Sequence, residues 1–93
     1  MTKAEIVEQI STETGVDKKT VLTVVESLMS TIKQNMVEGN EVFLRGFGSF
    51  IIKTRAAKIG RNISLNTSVK IPEHNIPAFK PCKEFVKEVS KLD

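Results

Sequence analysis

Apolar residues recur with a helical period along the first forty positions. Ile6 and Ile10 stand four apart on one face, with Val7 beside them. Thr2-Lys3-Ala4-Glu5, just ahead of that face, has the form of a capping box: the Thr2 hydroxyl can accept from the Glu5 amide while Glu5 reaches back. Gly15 can take the left-handed conformation that ends a helix, and Asp17 is a good N-cap for the next one. In that second helix Val21, Val25, Leu28, Ile32 and Met36 form a stripe, widened by Val24, Met29 and Val37 and closed by Gly39-Asn40. About 20 helical residues span roughly 30 Å. So wide an apolar face exceeds what one short helix and a small sheet can cover, which predicts a core shared with a second copy.

From Glu41 the period falls to two. Val42 and Leu44 point one way, Phe43 and Arg45 the other, and Gly46-Phe47-Gly48 reads as a turn into a returning strand, Ser49 to Thr54. Residues 55–72 are polar and basic, contain Gly60-Arg61-Asn62, and hold strand-like segments from Arg55 to Ile59 and from Ser68 to Ile71. A hairpin with so little apolar content does not hold itself shut in water. It is expected to be a mobile arm that orders on a partner. Pro72 and Pro77 bracket the return to the body, where Ala78-Phe79 supplies an anchor. Pro81 suits the first turn of a last helix, with Phe85, Val89 and Leu92 on its apolar side and Lys83, Lys87 and Lys91 on another. The expected fold is α+β and a single domain over 1–93. Its parts are a helical part that shares its core with a second copy (1–40), a strand part (41–54), an arm (55–73), and a C-terminal segment with its helix (74–93).

Composition narrows the class. With 93 residues, 40% hydrophobic and 27% charged, the chain has the make-up of one ordinary globular domain. Its apolar runs are too short to span a membrane, and the N-terminal residues do not read as a secretory signal. The one cysteine, Cys82, has no internal partner and suits a reducing cytoplasm.

Charge is more telling in its distribution than in its total of +3. Residues 1–41 carry four basic and seven acidic groups, net −3, whereas residues 42–93 carry ten and four, net +6. Between Val42 and Pro72 there is no acidic residue, yet Arg45, Lys53, Arg55, Lys58, Arg61 and Lys70 all lie there. Segregated positive charge attracts a polyanion.

Catalysis finds little support. His74 is the only histidine and has no ligand pair at zinc spacing. Cys82 reads as a small residue rather than a nucleophile, and Gly46-Phe47-Gly48 lacks the third glycine and the strand-to-helix context of a dinucleotide cradle. No enzyme activity, cofactor or metal is expected. Phe47, Phe50, Phe79 and Phe85 read as core, leaving Phe43 as the one outward aromatic. Single-strand binding wants several stacking platforms, so duplex backbone contact is favoured.

Two N-terminal helices, then Gly46-Phe47-Gly48-Ser49-Phe50, Arg55-Ala56, Gly60-Arg61-Asn62, Pro77-Ala78-Phe79 and Lys83, follow one another in order. Across nearly its whole length the chain resembles the bacterial HU/integration host factor family of DNA-bending proteins. The resemblance implies an intertwined dimer whose helices form a body, whose sheets form a saddle and whose two arms wrap the minor groove. Under it, Arg45, Lys53, Arg55, Lys58, Arg61 and Lys70 line saddle and arms, and Arg61 and Asn62 match the arm tip. Lys3 and Lys83 match body positions that meet flanking phosphates, and Lys80 joins them. The family carries Pro after the tip Arg-Asn as a wedge between base pairs; here Ile63 stands there, apolar but without the fixed φ of proline. The implied partner is double-stranded DNA in the nucleoid of the cytoplasm, preferably bent, nicked or gapped. A homodimer of HU-like behaviour is favoured over a heterodimer with a paralogue. Site-selective bending like that of integration host factor, to which Arg45 points, is the alternative. RNA binding and a dimeric protein-interaction module are weaker ones.

Overall fold

A computed structural model describes residues 1–62 and 67–92. In chain order these form α1 (Lys3–Thr14), α2 (Lys18–Val37), β1 (Val42–Leu44), β2 (Gly48–Arg55), β3 (Lys58–Asn62), β4 (Thr67–Ile71), β5 (His74–Pro81) and α3 (Lys83–Val89). The class is α+β, as the change of period from helical to alternating requires.

Both long helices start where their caps predict. The Thr2 hydroxyl accepts from the Glu5 amide at 3.3 Å and donates to the Glu5 carboxylate at 3.2 Å. Asp17 accepts from the Thr20 amide at 3.0 Å and from its hydroxyl at 2.7 Å. Between the helices Gly15, at φ 78°, closes α1 by donating its amide to the Ser11 carbonyl at 2.9 Å. Val7 and Val21, one from each helix, are the buried hydrophobic residues, at 6% and 5% exposure among the described residues.

β1, β2 and β5 form one antiparallel sheet in the order β1-β2-β5, and β3 pairs antiparallel with β4 in a separate two-stranded arm. The strand β5 was not expected. It carries Pro77 and Pro81, but in a single chain β5 lies at the sheet edge, where a residue without an N–H is tolerated. Pro81 therefore does not open the last helix. It pairs with Gly48, and the Cys82 amide donates to the Phe47 carbonyl at 3.0 Å, so the chain stays in the sheet until Cys82 caps α3. Leu92 consequently falls beyond the helix. The first turn is also displaced by one residue: Leu44 pairs with Gly48, which leaves Arg45-Gly46-Phe47 as the loop, with Gly46 at φ 84°. Strand structure stops at Arg55 and resumes at Lys58, so Ala56-Ala57 separates the body from the arm.

Register fixes the two faces of the three-stranded sheet, because directly paired residues share a face and neighbours along a strand alternate. Val42, Leu44, Phe50, Ile52, Pro77 and Phe79 share one face, and α2 packs on β1 and β2. Phe79 lies at the centre of an aromatic cluster, with ring centroids 4.9 Å from Phe47, 5.0 Å from Phe50 and 6.3 Å from Phe85. The Phe85 contact ties the short α3 to this face.

Candidate nucleic-acid interface

The opposite face of the sheet is built from the other alternating set. Ser49, Ile51, Lys53 and Arg55 on β2 stand opposite Lys80, Ala78, Ile76 and His74 on β5, and Phe43 on β1 stands opposite Ser49. Lys53, Arg55, His74 and Lys80 are all exposed. Small or β-branched residues between them keep the face shallow, so that a rigid rod can approach the cations.

The arm continues this charge. Lys58 pairs with Ile71, and Lys70 with Ile59, at the end of the arm nearest the body; both lysines are exposed. Arg61 and Asn62 lie at the distal end of β3, in register with Ser68 and Thr67. Ile63 lies outside the described residues. None of the five strands contains an acidic residue. The ion pairs among the described residues are Lys3–Glu26, Lys18–Glu8 and Lys91–Glu88, all away from the sheet and arm. Low desolvation cost and unpaired charge together suit a ligand that brings many negative charges.

Arg45, Lys80 and Lys83 converge from three elements. The Arg45-Gly46-Phe47 turn, the end of β5 and the first residue of α3 meet because the Cys82 amide is bonded to Phe47. All three cations line an open cleft of about 390 Å³. Lys3 is placed differently: its ammonium is engaged by the Glu26 carboxylate of α2, on the helical hairpin.

His74 also belongs to this face, although as a lone histidine it carries no signal of a site in the sequence. It stands opposite Arg55, and its Nδ1 lies 2.9 Å from the Pro72 carbonyl oxygen. The missing signal was β5 itself: without that strand, no alternation assigns His74 or Lys80 to a face. One edge contact shapes the sheet where β1 runs out. The Ile52 amide, beyond the reach of β1, donates to the Glu41 carboxylate at 2.9 Å.

Comparison with known proteins converges on one group. The family described as "Bacterial DNA-binding protein" matches residues 1–90. The chain is 36% identical over 91 residues to the DNA-binding protein HU of Thermus thermophilus, covering 98% of this chain and 94% of that one. It is 40% identical over 91 residues to the integration host factor subunit beta of Marinobacter nauticus, covering 97% and 93%. Its fold superposes on the Anabaena HU chain of an HU–DNA cocrystal structure with a TM-score of 0.92, at 35% identity and 99% and 100% coverage.

Proposed function

The chain belongs to the bacterial DNA-binding protein family of HU and integration host factor, a non-enzymatic architectural family, and from that premise we propose a homodimer that binds and bends duplex DNA. The basic sheet face and the cleft cations take the phosphates, and the two arms enter the minor groove. One observation carries this reading: Lys53, Arg55 and Lys80 share a sheet face, and all five strands lack acidic residues.

Affinity then comes chiefly from counterion release as Lys and Arg neutralise phosphates, which makes it steeply salt-dependent. Bending costs of order 1–10 kcal/mol, depending on angle and sequence. A nick or gap removes part of that cost, so distorted duplexes bind more tightly than intact ones. Ile63, at the position of the family's proline wedge, inserts between base steps; apolar wedges are the established device of minor-groove architectural proteins. Such a protein resides in the nucleoid.

The dimer is supported by exposure. A single chain of this mass should expose about 5,400 Å² when folded, whereas this one exposes 7985 Å². Its radius of gyration is 18.7 Å, against about 12 Å for a compact chain of this length. Part of the excess is the arm. Another part is apolar: Val24, Leu28 and Met29 on α2 and Phe47 beside the sheet are all exposed.

Relatives named HU and integration host factor match at similar identity, so the names do not choose between weak and strong site preference. The self-complementary apolar face favours a homodimer of HU-like behaviour.

Fluorescence anisotropy with intact, nicked and gapped duplexes of one sequence, across a salt series, tests the proposal. Tighter binding to the distorted duplexes and a linear fall of log K with log salt are expected. Equal affinity for all three at matched salt removes bending from the function. Absence of binding removes the reading, and tighter binding of duplex RNA in competition redirects it.

A further inference from the structure

Phe43 is 70% exposed and takes no part in the Phe47–Phe50–Phe79–Phe85 cluster. An exposed aromatic ring on a DNA-facing sheet has no role in contacting phosphates. Its surroundings suggest another ligand. Register puts Phe43, Ser49 and Lys80 in one row across the three strands, on the same face. Adjacent strands stand about 4.8 Å apart, so the Phe43 and Lys80 side chains rise roughly 10 Å from each other. Only the small Ser49 side chain lies between them. The row forms a notch with an aromatic wall, a hydroxyl floor and an aliphatic wall tipped by an ammonium. This notch is part of the cleft that Arg45 and Lys83 also line, and its volume of about 390 Å³ lies within the range of small-ligand sites.

We propose that this notch holds one unpaired nucleotide, its base stacked on Phe43 and its phosphate held by Lys80, Arg45 and Lys83. The inference rests on the DNA-binding reading above and deepens it. Charge complementarity selects the occupant: three cations on the rim oppose a second copy of the same surface and suit an aromatic ring that carries a phosphate. In intact duplex every base face is already stacked, so the notch is filled only where a base is extrahelical, as at a bulge or a frayed nick. A single platform also limits the site to one base, because Phe47, Phe50, Phe79 and Phe85 are engaged with one another. Base-on-aromatic stacking is sequence-tolerant, because every base has a π-face. The site would thus distinguish damaged or misaligned duplex from intact duplex without reading sequence.

The test compares three duplexes of one sequence at fixed salt: fully paired, with a one-nucleotide adenine bulge, and with the same bulge lacking its base. The two bulges share their backbone interruption, and the abasic one has nothing to stack. The wild-type protein is expected to prefer the adenine bulge to the abasic bulge about fivefold, at the lower end of stacking contributions. Phe43→Ala should bring that ratio to one, so that the adenine bulge binds no better than the abasic bulge, while Phe43→Tyr should keep the ratio. A wild-type ratio of one overturns the proposal, as does a ratio that survives in Phe43→Ala, or an equal loss on all three duplexes. Failure of the wild-type protein to bind any of the three would instead overturn the DNA-binding reading beneath it.

Discussion

A Cβ placed on Gly48 would stand 2.6 Å from the Lys80 carbonyl oxygen and 2.6 Å from the Phe79 ring. No real Cβ is accommodated at that distance from backbone, so β2 and β5 approach closely here only because residue 48 has no side chain. The contact sits where the aromatic cluster meets the end of the basic face. Gly48→Ala is therefore expected to separate the strands or push Phe79 aside. Overpacking of this kind costs about 1–3 kcal/mol, which for a chain of this size lowers the melting temperature by about 4–8 °C per kcal/mol. A thermal melt checks it. Because Lys80 moves with the strand, DNA affinity should fall in parallel.

The Glu26 carboxylate engages the Lys3 ammonium, so Lys3 is free for a phosphate only where that pair opens. Both side chains are about half exposed, and surface pairs of this kind contribute about 0–1 kcal/mol. Glu26→Gln should accordingly change stability by less than about 1 kcal/mol. Its larger effect is expected on DNA: freed of its partner, Lys3 adds one phosphate contact per protomer. The slope of log K against log salt should then steepen by about 0.9 for each such contact. Lys3→Ala should not steepen it. An unchanged slope in Glu26→Gln would place Lys3 outside the DNA contact.

Much of this was legible in the sequence, because the helix signals are local. Thr2, Gly15 and Asp17 each cap through partners at most four residues away, and the α2 stripe follows from its spacing. The family resemblance implies a basic role for Lys53 and Arg55, and the register puts both on one face of the sheet. What escaped were features set by distant partners. β5 is held as a strand by β2 despite its two prolines, and without that pairing no local pattern places His74 or the row from Phe43 to Lys80. The Lys3–Glu26 pair joins residues 23 apart, with no local pattern to announce it. Alternation continues through Arg45 and extends the strand to it, whereas the αL conformation of Gly46 draws it into the turn.

Acid should weaken the start of α2. The Asp17 carboxyl is held below its ordinary value of 3.8, first by the Thr20 hydroxyl and then by the Thr20 amide. A lowered value in the folded chain means that the stabilising contribution is whole above pH 3.8 and is lost as pH falls through the folded value. Asp17→Ala should thus lower the melting temperature at neutral pH, with the difference from wild type shrinking as pH falls below 3.8. Asp17→Asn keeps an acceptor for the Thr20 amide and should show a smaller loss at neutral pH. Melts of the three proteins across pH measure both effects, and a gap between Asp17→Ala and wild type that is constant with pH would show that the carboxylate charge is not involved.

The exposed stripe of α2 makes the strongest demand on assembly. Leu28 lies at its centre and is 49% exposed in one protomer, with Val24 and Met29 beside it. If a second protomer covers the stripe, folding and association are one equilibrium, and the melting temperature rises with protein concentration. Leu28→Lys then places an ammonium in an apolar interface once from each side, where neither copy has a partner; burying such a charge costs several kcal/mol. The variant is expected to be unfolded or monomeric at concentrations where the wild-type protein is a dimer by analytical ultracentrifugation. It should also lose DNA binding, because a single arm and a single face neutralise half as many phosphates. A wild-type melting temperature that is constant over about a hundredfold range of concentration, together with a folded and DNA-binding Leu28→Lys monomer, would return the stripe to the surface of a chain that works alone.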